Sequence, residues 1–98
     1  MSEKANVTVR DNTDENRYEA VDESGVVAGF SEYQKKGGLF VFMHTEVDDA
    51  FEGRGVGSTL VRGALDDVRT TGLQVRPLCP FVKDYIERHP EYQDLLNG

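Results

Sequence analysis

The chain is poor in cysteine, proline, tryptophan and long apolar runs, and each shortage closes off a class of protein. The single cysteine, Cys79, cannot form an internal disulfide, and no group of Cys and His has zinc-ligand spacing. Neither a covalent staple nor a metal is expected to hold the fold. No apolar run approaches the ~20 residues that cross a bilayer. Residues 1–12 lack the apolar centre and small-residue cleavage site of a leader, so the expected compartment is the cytoplasm, with no membrane partner. Bases are also scarce, eleven against eighteen acids for a net charge of −7, which argues against holding nucleic acid by neutralising its phosphates.

What is present describes one folded unit. With 98 residues, 38% hydrophobic and 30% charged, the chain is too apolar for wholesale disorder and is expected to form a single domain over residues 1–98. The charge is uneven: residues 1–53 hold twelve acids and five bases, whereas residues 54–98 hold six of each. An anionic ligand meets least repulsion in the second half.

Punctuation and periodicity give the order of elements. Val7 and Val9 alternate with polar residues in a first strand, residues 12–16 form a polar turn, and residues 17–22 form a second strand. Glu23-Ser24-Gly25 turns the chain into a third strand over residues 26–35, and Lys36-Gly37-Gly38 makes the next hairpin loop. Residues 39–47 are the most apolar stretch, predicting an interior strand at the centre of the sheet, covered on both faces. Strict alternation there puts His44 and Glu46 on the same face as Phe40 and Phe42. Val56, Leu60, Val61, Ala64, Leu65 and Val68 recur at helical spacing over residues 55–70, with Arg62 and Asp66 paired on the wet side and Gly72 as the stop. A short strand over residues 73–78 completes a βαβ unit with parallel pairing. Pro80 opens a second helix and Pro90 stops it, with a last helical turn or docked tail over residues 91–96. The fold class is therefore α/β of the α+β mixed-sheet kind: antiparallel strands leading into a βαβ unit with a C-terminal helix.

The chemistry concentrates in Gly53-Arg54-Gly55-Val56-Gly57-Ser58. Glycines in alternate positions at a helix start let backbone N–H groups converge on a phosphate, and the helix dipole favours its charge. The segment lacks the Gly-Lys-Ser/Thr ending of a nucleotide P-loop and the spacing of a dinucleotide fingerprint.

These residues resemble the GNAT superfamily of acetyl-CoA-dependent N-acetyltransferases. Its signature, Gln/Arg-x-x-Gly-x-Gly/Ala, falls on Glu52-Gly53-Arg54-Gly55-Val56-Gly57, matching both glycines and missing the first position. With His44-Thr45-Glu46-Val47, and with Cys79-Pro80-Phe81-Val82 through Tyr85 to His89-Pro90-Glu91-Tyr92, the chain is similar to compact single-domain members over residues 17–96. The resemblance implies acetyl-CoA or CoA as cofactor. It would be held by Val47, Gly53, Arg54, Gly55, Val56, Gly57, Ser58 and Cys79, in a gap where two parallel strands splay apart. It also implies an amine acceptor, a small molecule or a protein. Glu46 is the candidate base and His44 a relay or a packed core residue. Cys79 is either an acyl relay or a neutral lining thiol, and Tyr85 is the candidate acid for the departing thiolate. Arg54, Arg62 and Lys83 are candidate phosphate contacts, and His89 is a capping or packing residue. The acid at Glu52 and the short turn at residues 12–16 depart from the larger members. They leave a second reading open, a CoA-binding module with little turnover and an exposed acceptor side.

Overall fold

The structure is a computed structural model that describes residues 6–96; residues 1–5 and 97–98, the two ends of the expected single domain and the start of the segment read as having no leader, lie outside the described residues. Five strands, Val7–Asn12 (β1), Arg17–Asp22 (β2), Val27–Lys36 (β3), Leu39–Val47 (β4) and Gln74–Pro77 (β5), form one sheet in the order β1-β2-β3-β4-β5. All neighbours run antiparallel except β4 and β5, which are parallel and joined through the helix Val56–Thr71 (α1). The helix Pro80–Arg88 (α2) and a 3-10 segment, Pro90–Leu95, follow. The mixed α/β fold is thus as the sequence implies, with element ends shifted by a residue or so. Among the described residues no helix is long and apolar enough to cross a membrane.

One expectation fails at β4. It is interior but not central, because three strands precede it and the βαβ crossover adds only one beyond it; β3 holds the middle. Nor is it covered on both sides. The buried residues of α1 and α2 join Tyr18, Tyr33, Phe40 and Phe42 in one core on one face of the sheet. On the other face Val41 is shielded in register between Gln34 and Arg76, while Met43 is 44% exposed.

The second failure has larger consequences. Tyr33 pairs with Phe42 and its neighbour Glu32 with His44, so Met43 is an extra residue, a β-bulge in β4. The bulge inverts the alternation beyond it. Thr45, not His44, continues the core face, bonded to Ser31 at 2.9 Å. His44 and Glu46 lie on the open face instead, in register with Glu32 and Phe30. They therefore do not share a face with Phe40 and Phe42.

The open face carries its own anchor. Glu19, 1% exposed, accepts from Arg10 Nε at 2.9 Å, Asn12 Nδ2 at 3.1 Å and Arg17 Nε at 2.8 Å. Burial acts to raise its carboxyl pKa, but these three donors outweigh it and hold the group below the ordinary carboxylate range. A depressed folded-state pKa lends stability that is complete at neutral pH and is lost as pH falls through the carboxylate range. Glu19→Gln is expected to cost about 1–3 kcal/mol at pH 7. Urea melts from pH 7 to pH 3 should then show a shallower acid decline for the variant than for the parent.

On the helical side, Arg62 and Asp66 do not form the expected ion pair; Asp66 accepts from the Tyr92 hydroxyl at 2.6 Å. Arg69 reaches Asp94 at 2.7 Å and the Glu91 carbonyl at 2.8 Å, so the C-terminal 3-10 segment is tied to α1.

Candidate functional site

The site grows from the bulge. A bulged strand bends, and at this point β4 parts from β5. Their parallel ladder ends at Phe42 and Pro77; the Phe42 carbonyl accepts from both Leu78 N at 3.0 Å and Cys79 N at 2.9 Å. Beyond that vertex β4 runs on to Val47 without a strand partner on that side among the described residues. There Cys79, just before α2, faces β4 in place of a strand, with Sγ donating to Thr45 Oγ1 at 3.4 Å.

At the far end of β4, Asp48 caps a single 3-10 turn, Asp49–Phe51, by accepting from Ala50 N at 2.9 Å. Gly55, at φ +76°, is the N-cap of α1 and has no side chain with which to cap it. The first helical bond runs from Thr59 N to Gly55 O at 3.1 Å, so the N–H groups of Val56, Gly57 and Ser58 precede the helical ladder. They form part of a cleft of about 440 Å³ that also takes in Val47, Phe51, Glu52, Gly53 and Phe81. The arrangement fits a diphosphate bound through backbone donors. Arg54 lies outside this lining, with its guanidinium over the Phe51 ring at 5.5 Å.

Gly57 has a different role from the one its spacing suggests. A Cβ there would stand 2.5 Å from Cζ of Phe81, so the missing side chain leaves room for a ring of α2, while the N–H remains among the helix-start donors. Phe81 itself is 43% exposed and forms one wall of the cleft.

A second cleft, of about 580 Å³, opens on the sheet's bare face and shares Val47 and Glu52 with the first. Four carboxylates line it, Glu46, Asp48, Asp49 and Glu52, with Phe30 as an apolar wall and Arg17 as the one base. Arg17 is already engaged by Glu19 at 2.8 Å and by the Phe30 ring at 4.6 Å. His44 Nε2 lies 3.4 Å from Glu46 Oε1, and both side chains are more than half exposed.

The other expected residues go elsewhere. Cys79, 4% exposed, is the N-cap of α2 and donates to Thr45 Oγ1 at 3.4 Å; it contacts neither Glu46 nor His44 among the described bonds. Tyr85 stacks on His89 with ring centroids 3.9 Å apart and lines neither cleft. Burial holds its phenol above the ordinary range; Arg62 acts to lower it, and Glu91 and Asp66 add to the rise. His89 closes α2 as expected of a capping residue, with Nδ1 donating to the Tyr85 carbonyl at 2.8 Å. Arg62 and Lys83 line neither cleft. Sequence reasoning missed Thr45, Ser31, Phe81 and the pair Asp48 and Asp49. The first two depend on the bulge, which leaves no mark in the periodicity; a glycine just inside a helix was the available signal for Phe81.

The fold and the uncapped start of α1 point to a class, and comparison with known proteins gives it a name. A family model of GCN5-related N-acetyl-transferases matches residues 17–95. The chain therefore belongs to the GCN5-related N-acetyltransferase family. Protein NATD1 of Xenopus tropicalis is 38% identical over 47 residues, 48% of this chain and 43% of that protein. Protein NATD1 of Homo sapiens is also 38% identical over 47 residues, and the match covers 42% of its length. The aligned stretch thus spans less than half of these relatives. The NMR solution structure of a GCN5-like protein from Staphylococcus aureus superposes with a TM-score of 0.71 at 26% identity, over 95% of this chain and 90% of that one.

Proposed function

We propose that this protein binds acetyl-CoA and transfers its acetyl group to a primary amine that reaches the site as an ammonium ion. The observation that carries this reading is the meeting of two clefts at Val47 and Glu52: one edged by uncapped helix N–H groups, the other by four carboxylates. When bound, acetyl-CoA supplies an acyl thioester with a good leaving group. Val56, Gly57 and Ser58 hold its diphosphate through backbone donors, and Val47, Gly53 and Gly55 shape the approach. Glu52 belongs to the acidic side and gives the phosphates no help.

The carboxylates favour the charged amine on arrival, and one of them must then remove its proton, because only the free amine is nucleophilic. Glu46 is the candidate, with His44 at 3.4 Å to pass the proton to solvent. Phe30 offers an apolar wall to the substrate's carbon skeleton. Tyr85, protonated at neutral pH, retains the chemistry of an acid for the thiolate but stands outside both clefts. That placement favours the second reading, a CoA-binding module with little turnover. The cytoplasm suits either reading, since a lone thiol stays reduced there.

Calorimetry with CoA, acetyl-CoA and ATP is expected to show micromolar binding of the first two and none of the third. Thiol release from acetyl-CoA is then followed across a panel of amines, diamines and lysine peptides. Release that rises with acceptor concentration establishes the transferase. Binding with no release across the panel establishes the module, and no CoA binding refutes both.

A further inference from the structure

The acidic cleft holds one cation that its carboxylates leave unused. Arg17 lines the same space of about 580 Å³ as Glu46, Asp48, Asp49 and Glu52. Two contacts fix it: Nε donates to Glu19 Oε2 at 2.8 Å, and the guanidinium lies 4.6 Å from the centroid of the Phe30 ring. Among the described residues neither Nη of Arg17 has a hydrogen-bond partner, and Glu32, in register with it, forms no ion pair with it. Nor does Glu19 cancel its charge. That buried carboxylate also accepts from Arg10 Nε at 2.9 Å, with Arg10 Nη2 at 2.8 Å, and from Asn12 Nδ2 at 3.1 Å. Two arginines share one carboxylate, so the cluster carries one net positive charge, and Arg17 is its member in the cleft.

Strand register sets this cation against the candidate base. Glu19 pairs with Phe30 and Phe30 with Glu46, so on the open face Phe30 stands between β2, which carries Arg17, and Glu46 on β4. The two strands are two spacings apart, roughly 10 Å, and Arg17 covers part of that span by leaning over the Phe30 ring.

We infer that Arg17 is a specificity-determining residue that receives a carboxylate of the acceptor, which makes the acceptor an ω-amino carboxylate rather than a polyamine. The inference rests on the amine-acetylation reading above. The acceptor's ammonium meets Glu46, its methylenes pass Phe30, and its carboxylate takes the free Nη edge. A planar guanidinium presents two parallel N–H donors that match a carboxylate, and Nε held on Glu19 orients them in advance. A polyamine would bring a second cation against Arg17 instead. Arg17 fixes the far end of the acceptor and takes no part in the transfer.

Thiol release from acetyl-CoA is compared for ω-aminovalerate and its neutral amide, which share the amine and the chain. Wild-type protein is expected to show a kcat/KM about tenfold or more higher for the carboxylate, the difference lying in KM. Arg17→Gln should bring the two acceptors to within about threefold of each other, and Arg17→Lys, which keeps the charge and loses the fork, should fall between. Arg10→Gln is the control: it loosens Glu19 from outside the cleft and should keep the wild-type ratio. Equal wild-type values for the two acceptors overturn the inference, and this arm needs no variant to fold. A ratio unmoved in a folded Arg17→Gln protein overturns the assignment to Arg17. Titrating the nitrogen-labelled full chain with the same two compounds reads the preference without turnover. Tighter binding of the carboxylate, with shifted amide signals at Arg17 and Phe30, supports the inference, and equal binding overturns it. No thiol release from either acceptor, alongside that preference, removes the transferase reading while the carboxylate site stands.

Discussion

Gly55→Val is expected to abolish measurable CoA binding, the largest effect of any single substitution in the first cleft. Gly55 is the N-cap of α1 at φ +76°, where an L residue places its Cβ too close to the following carbonyl, at about 1–2 kcal/mol. A β-branched side chain relieves the strain by rotating the backbone, and the N–H groups of Val56, Gly57 and Ser58 turn with it. Loss of binding through global destabilisation is separated by a matched control. Gly25 has φ +86° with open space around its missing Cβ, far along the chain in the β2–β3 hairpin. Gly25→Val should lose a similar stability, about 1–2 kcal/mol, and keep full CoA affinity. Calorimetry and urea melts on the two variants make the comparison. Intact CoA binding by Gly55→Val would show that the diphosphate is held elsewhere.

Glu46→Gln is expected to lower kcat for amine acetylation by about 100-fold or more while leaving CoA affinity unchanged, as for loss of a general base. Glutamine keeps the size and one acceptor oxygen, so the acidic cleft changes little in shape. The diagnostic readout is pH: the parent is expected to hold its rate through the neutral range, where the amine arrives charged and Glu46 takes its proton. The variant should instead follow the free-amine fraction alone, with its relative activity climbing at alkaline pH. An unchanged kcat would move the base to another of the cleft's carboxylates, Asp48, Asp49 or Glu52, each of which can be tested in the same assay.

Much of this architecture was legible in the sequence, for identifiable reasons. Element order followed from turn glycines and prolines and from a clean helical period between Val56 and Val68, and the glycine segment announced the helix start at which a diphosphate fits. What was not legible came from contacts between elements. The extra residue at Met43 reflects the register that β3 imposes on β4, and nothing local in Leu-Phe-Val-Phe-Met-His distinguishes a bulge from a regular strand. Every assignment of a face beyond it was therefore inverted, so Glu46 and Thr45 exchanged places. In the sequence the acids of residues 1–53 show only as an excess of charge. Folding gathers Glu46, Asp48, Asp49 and Glu52 around one cleft, and the run of acids after β4 was the signal. Arg62 and Asp66 satisfied a helix-surface rule, yet Tyr92 took Asp66 because a docked C-terminal segment brings a phenol within 2.6 Å.

The close approach of Phe81 to Gly57 carries a consequence for how such a chain can vary over time. A methyl at 57 would press on the tip of that ring, and Phe81, 43% exposed, has room to turn outward, so the contact couples the two positions without locking them. A smaller residue at 81 removes the need for that turn, and a bulkier one adds to it. In descendants of this sequence the two sites are expected to change as a couple, and that joint history would be readable from genomes with no structure in hand.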